Sequence, residues 1–188
     1  MLKYSLIALG AIVAVLLTVS VLPQGQRVIP ESTINLERVQ LTLYPQADPE
    51  AVWAFAAPQV EYEPELRETT LLNIEDGSRS EAGKEDFTLS SDRAVIDSED
   101  NLRGDAIAVH LTEEDWDLNM QAAEGNQVLI SQADGVFEIP DLLLKTADDD
   151  EESQYQRARI SFDLTEFTSG GEGAVGYSRF KIGESDGE

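Results

Sequence analysis

The sequence predicts an all-β protein, an antiparallel β-jellyroll or open roll of short strands, preceded by one N-terminal transmembrane helix. Three observations carry that expectation. Apolar and polar residues alternate in short stretches that recur about every 8–12 residues, the mark of half-buried strands. No 3.6-residue periodicity is sustained beyond the N-terminus. Leu6 to Leu22 forms one apolar run without a single charge.

That run comes first. Lys3 precedes it, and Pro23 and Gly25 close it. Counted from Leu2, about 21 residues at ~1.5 Å each span ~31 Å, enough to cross a hydrocarbon core of ~30 Å. The run exceeds the apolar core of a secretory signal, and Val19-Ser20-Val21-Leu22-Pro23 offers no Ala-x-Ala cleavage pattern. With no cysteine to acylate, a lipoprotein signal is excluded. An uncleaved anchor is therefore expected over residues 1–23, with Lys3 and the α-amino group inside and the body outside. Residues 24–35, with Gly25 and Pro30, read as a juxtamembrane linker, 36–182 as one β domain and 183–188 as a disordered tail.

Strand candidates follow in series. Val39, Leu41 and Leu43 alternate with Gln40 and Thr42. Val52, Phe55, Val60 and Tyr62 suggest a strand pair broken near Ala57-Pro58. Leu72 and Ile74 precede an expected turn at Asp76-Gly77. Phe87 and Leu89 lead through Ala94-Val95-Ile96 to a turn at Ser98 to Asn101, after which Ile107, Val109 and Leu111 resume the alternation. Trp116, Leu118 and Met120 come next, then Val128 and Ile130, Val136 to Ile139, and Leu142 with Leu144. An acidic loop, Ala147 to Ser153, precedes Ala158, Ile160, Phe162 and Leu164. Ala174 to Ile182 is the last candidate. A weak internal repeat is also visible: Asp86, Phe87, Leu89 and Ala94 match Asp115, Trp116, Leu118 and Ala123 at a constant offset.

Composition excludes several function classes. All Asp and Glu lie after position 30, so the outer segment holds 11 basic against 37 acidic residues, a net of −26. Such a domain repels nucleic acid, because phosphate binding needs Lys and Arg. It also repels an anionic lipid surface. An acidic surface with four lysines is consistent with a high-salt host, where self-repulsion is screened.

Catalytic patterns are weak. A Ser-His-Asp triad needs a histidine base, and only His110 exists, inside a strand pattern. Imidazole metal clusters fail for the same reason. With 37 acidic residues, any carboxylate pair of the glycosidase kind is expected by chance. Asp97-x-Glu99-x-Asn101 has Leu102 where a calcium loop needs glycine, and Asp148 to Glu152 reads as a solvated loop. Gly171-x-Gly173-x-x-Gly176 lacks the helix of a dinucleotide site and reads as a turn. No enzyme, cofactor or metal is expected.

What remains is the inward aromatic and aliphatic face. Phe55, Tyr62, Phe87, Leu89, Trp116, Leu118, Phe137 and Phe162, with Trp53, line either a closed core or an open groove that accepts an acyl chain. The sequence leaves both open.

The combination resembles the LptC-type component of the lipopolysaccharide export bridge and its LptA-like and OstA-like relatives. The residues carrying the resemblance are Leu89-Ser-Ser-Asp-Arg-Ala-Val-Ile-Asp97 and Asn101-Leu-Arg-Gly104 leading into Ala106 to Leu111, with Leu142 to Ala147 and Gly173 to Tyr177 as further elements. The resemblance implies a non-enzymatic, single-pass inner-membrane protein with its C-terminal domain in the periplasm. It would receive lipopolysaccharide or a related glycolipid from inner-membrane ABC transporter subunits and pass it to an LptA-like periplasmic bridge protein, towards the outer membrane. The first strands would face the transporter, and the last, around Ile160 and Tyr177, would pair with the next roll. The alternative reading is an anchored acidic β-sandwich that binds a protein or cell-wall partner.

Overall fold

The computed structural model describes residues 33–147 and 152–170, and the backbone of residues 178–180. The predicted anchor, most of the linker, the tail, the core of the acidic loop and the glycine-rich turn lie outside the described residues. Among the described residues no helix is long and apolar enough to cross a membrane.

Among the described residues twelve strands follow in order: β1 Ile34–Leu43, β2 Ala51–Glu63, β3 Glu68–Glu81, β4 Lys84–Ile96, β5 Leu102–Gly104, β6 Ala106–Leu111, β7 Trp116–Gln121, β8 Val128–Ser131, β9 Val136–Lys145, β10 Ser153–Ser161, β11 Phe167–Ser169 and β12 Ser178–Phe180. All pairings are antiparallel. The all-β expectation therefore holds for the described residues. β1 starts at Ile34, inside the segment read as linker.

β1 to β4 run as a meander. At β4 the sheet divides: the first half of β4 pairs β6 through Phe87–Leu111 and Leu89–Val109, and its second half pairs β5 through Ala94–Gly104 and Ile96–Leu102. The two branches rejoin on β9, which takes β8 at Phe137–Ile130 and β7 at Leu142–Met120. The six strands β4, β5, β8, β9, β7 and β6 thus form a closed, barrel-like ring. β10, β11 and β12 continue beyond β9.

The ring closes because each long strand bends between two leaves, and the bend is written in the residue spacing. Inward side chains one pleat apart are two residues apart in an ideal strand. Here the spacing lengthens to three: Ala57 and Val60 flank Pro58-Gln59, Leu71 and Ile74 flank Leu72-Asn73, and Ile139 and Leu142 flank Pro140-Asp141, while β3 has a second such step from Ile74 to Gly77. Ala94 follows Ser91 across Asp92-Arg93 in the same way. Arg38 (φ 54°), Asn73 (φ 55°) and Arg157 (φ 50°) supply the turn of the backbone. Arg38 and Arg157 stand at the register positions opposite Pro58 and Pro140. Proline has no N–H to donate, so the ladder loses nothing where it bends. These creases form a line across the sheet and leave one core between the leaves.

Several sequence expectations change at this line. The strand break expected at Ala57-Pro58 is only a crease, and β2 runs through it. The turn expected at Asp76-Gly77 is continuous β3. Gly77 is needed there for close approach, since a Cβ would lie 2.8 Å from the Leu89 side chain. β5 and β11 were not foreseen, because three-residue strands leave too short a period to read. The strand through Ala158 and Ile160 ends at Ser161, and Leu164 sits in a turn with φ 54°. Of the last candidate, Ser178–Phe180 is strand. The internal repeat has a structural counterpart over its first half: Phe87 and Trp116 both pair Leu111, and Leu89 and Leu118 both pair Val109. It lapses where β7 ends and β4 continues into the second leaf.

Candidate functional site

The predicted inward residues fall into two groups. Phe55, Phe87, Leu89, Leu118 and Phe137 are buried in the core, whereas Tyr62, Trp116 and Phe162 are half-buried at its margins. The rings interlock rather than leave a channel. Phe87 lies edge-on to Trp53 at 5.4 Å, against Phe137 at 5.2 Å, and Phe162 meets Phe137 at 4.9 Å. Such tilted contacts each add to area burial, so this is a packed interior with aromatic contacts bridging the two leaves.

Away from the creases, polar groups tie the leaves together. Trp53 Nε1 donates to Gln132 Oε1 at 3.1 Å, and the Gln132 N–H donates to Asn101 Oδ1 at 3.0 Å. The Arg79 guanidinium stands 5.0 Å from the Phe162 ring centre. It is ion-paired to Asp48 at 2.5 Å, to Glu81 at 3.2 Å and to Asp86. With its side chain only 3% exposed, Arg79 is a buried charge kept in place by three carboxylates. The cavity beside it, about 550 Å³, has eight acidic side chains in its lining against Arg79 and Arg159. One of them, Asp163, has its carboxyl held below the ordinary range by the Ser161 hydroxyl and by Thr165.

The other margin is different. β1 is an edge strand with no neighbour on its outer side among the described residues. Ile34 and Leu36 pair Tyr62 and Val60, so they share the inward face of the second leaf. After the crease at Arg38, Val39, Leu41 and Leu43 pair Ala57, Phe55 and Trp53 and carry that face into the first leaf. The last three are partly buried against the core, but Ile34 and Leu36 are each 45% exposed. Among the described residues the inward face is thus left exposed at Ile34 and Leu36, as an apolar mouth. The alternation in the sequence marks Val39, Leu41 and Leu43 as a strand but not as a site. Ile34 and Leu36 escape that pattern because the extra residue at Arg38 breaks their phase.

Catalytic geometry is sparse. His110 Nδ1–H donates at 2.9 Å to the Asp117 carboxylate on the exposed outer face, with no hydroxyl nucleophile bonded to it. Asp97 Oδ1 accepts from the N–H groups of Glu99 and Asn101, a turn cap rather than a cation loop. Among the described residues no cluster of three His, Cys, Asp or Glu is placed to hold a metal. In comparison with known proteins, no family model and no curated protein matches the chain.

Proposed function

We propose that the protein is a membrane-anchored periplasmic lipid-transfer component that takes up lipopolysaccharide or a related glycolipid from an inner-membrane ABC transporter at the β1 mouth. The observation that carries this reading is the apolar inward face exposed at edge strand β1, continuous with a core of aromatic and aliphatic side chains. Covering Ile34 and Leu36 contributes about 1 kcal/mol each, since full burial of such a side chain gives about 1.5–3 kcal/mol. Passage further in requires the leaves to part at the creases. A dozen acyl methylenes kept out of water at ~0.8 kcal/mol each are on the order of 10 kcal/mol better placed inside the roll than in the aqueous phase. The far end would hand the lipid on by strand pairing with an LptA-like bridge protein, unpaired edges being templates for added strands.

The test is site-specific photo-crosslinking in cells. Probes at Phe87, Trp116 and Phe162 are expected to give glycolipid adducts, and a probe at the outward Thr88 none. Labelling confined to outward positions sinks the proposal. A second reading, an acidic interaction module with a closed core, draws on the tight packing of Phe87 and Phe137. It expects no lipid adduct at any inward position and no co-purifying ABC transporter.

A further inference from the structure

We propose that β1 is a self-pairing edge, and that two copies of the chain join there antiparallel about a two-fold axis. Along Ile34–Leu43 the outer side of β1 has no neighbour among the described residues, so its N–H and C=O groups on that side form a template for a further strand. The stretch contains neither proline nor lysine, the usual guards of such an edge. What it accepts is decided by the crease. The inward side chains of β1 are Ile34 and Leu36 before Glu37-Arg38, and Val39 and Leu41 after it. β2 has its own crease at Pro58-Gln59 and lies with Glu37 opposite Gln59 and Val39 opposite Ala57, crease against crease. A strand added on the outer side must match the bend in the same way, or part of its inward set changes face.

A second β1 matches the bend in one register. With the two creases together, Glu37 of each copy faces Arg38 of the other. Leu36 then meets Val39, Ile34 meets Leu41, and Asn35 meets Gln40, always across the two copies. Every inward residue opposes an inward one, as an isologous contact requires, and two ion pairs stand at its centre. Glu37 and Arg38 are both exposed, and neither has an ion-pair partner among the described residues. A slip of one residue sets Glu37 against Glu37 or Arg38 against Arg38, a repulsion, and parts the creases. Pairing covers Ile34 and Leu36, each 45% exposed in the single copy, with the half-buried Leu41 and Val39 of the second. The inference does not rest on lipid uptake, although lipid entering behind β1 would need the pair to part.

Because the chain has no cysteine, single substitutions report the register directly. The full chain in dodecyl maltoside carries either Asn35→Cys or Gln40→Cys, both exposed and on the outward face. Oxidising the two variants mixed should give disulfide-linked dimers. Oxidising either alone should not, since like residues then lie about five positions apart, ~17 Å at ~3.4 Å each, beyond the reach of a disulfide. Sedimentation of the cysteine-free chain gives the second readout, at physiological ionic strength, which screens the long-range repulsion between two copies of net charge −24. Glu37→Arg should raise the dimer dissociation constant at least about tenfold, and the swap Glu37→Arg/Arg38→Glu should restore it. No linkage in the mixture, or equal linkage in either variant alone, overturns the proposal. So do assemblies that grow beyond two copies, which assign β1 to head-to-tail pairing. A dimer that Glu37→Arg leaves unchanged, or that the swap fails to restore, belongs to another surface and overturns it too.

Discussion

The closed ring and the edge strand β1 are built from the same alternation, yet only the ring is sealed. In β4, β7 and β9 the inward side chains have neighbours on both flanks, and Phe87, Leu118 and Phe137 are at most 1% exposed. In β1 the inward Ile34 and Leu36 have a neighbour on one flank only among the described residues and are 45% exposed. The difference lies in the neighbours, not in the residues. An apolar strand becomes core when the sheet divides and rejoins around it, and becomes a mouth when the sheet stops.

The largest break in that comparison is a paired truncation. Phe137→Ala should cost about 3–5 kcal/mol in denaturant unfolding, because it empties a site ringed by Phe87 and Phe162. Leu36→Ala should cost less than about 1 kcal/mol in the same assay. Equal costs would mean that the β1 end is sealed as the ring is. Next is Arg79→Ala, which leaves Asp48, Glu81 and Asp86 without their cation and strips the face of Phe162. A loss of about 2–4 kcal/mol is expected, with amide exchange rising first in the strands that carry these partners.

Gly77→Ala sharpens the account of the bend. Its Cβ would press on Leu89 inside the ring, and a loss of about 1–3 kcal/mol is expected. A neutral result would show that β3 and β4 have room to part. The smallest effect is at the rim. The lowered pKa of Asp163 means that its contribution is complete above the ordinary aspartate pKa and fades as pH falls through the lowered folded value. Asp163→Asn should therefore be slightly less stable than the parent at pH 7, with the gap closing in strong acid. Urea melts of both proteins across pH check the sign.

The alternating strands around Phe87, Trp116 and Leu142 were legible because period two survives within each leaf. The creases were not, since Pro58 and Gly77 carry the usual signals of an ending strand. Pro58 lies where no N–H is required, and Gly77 where Leu89 leaves no room for a Cβ. The aromatic interior was readable residue by residue, but its packing depends on the division of the sheet at β4, a non-local event. The mouth was hidden for a related reason: one extra residue at Arg38 shifts Ile34 and Leu36 out of phase with Val39. Arg79 depends on partners from distant strands, and no local pattern announces it.

Admission of lipid at β1 is tested most directly by substitution at the mouth with detection further in. On the proposed function, a photo-crosslinker at Trp116 reports on lipid that has moved along the roll. Leu36→Glu should abolish the glycolipid adduct at Trp116, while Gln40→Glu, on the outward face of the same strand, should leave it intact. Both variants should melt as the parent does, being exposed. An undiminished adduct in Leu36→Glu, or equal loss in both variants, would contradict admission of lipid through the β1 mouth.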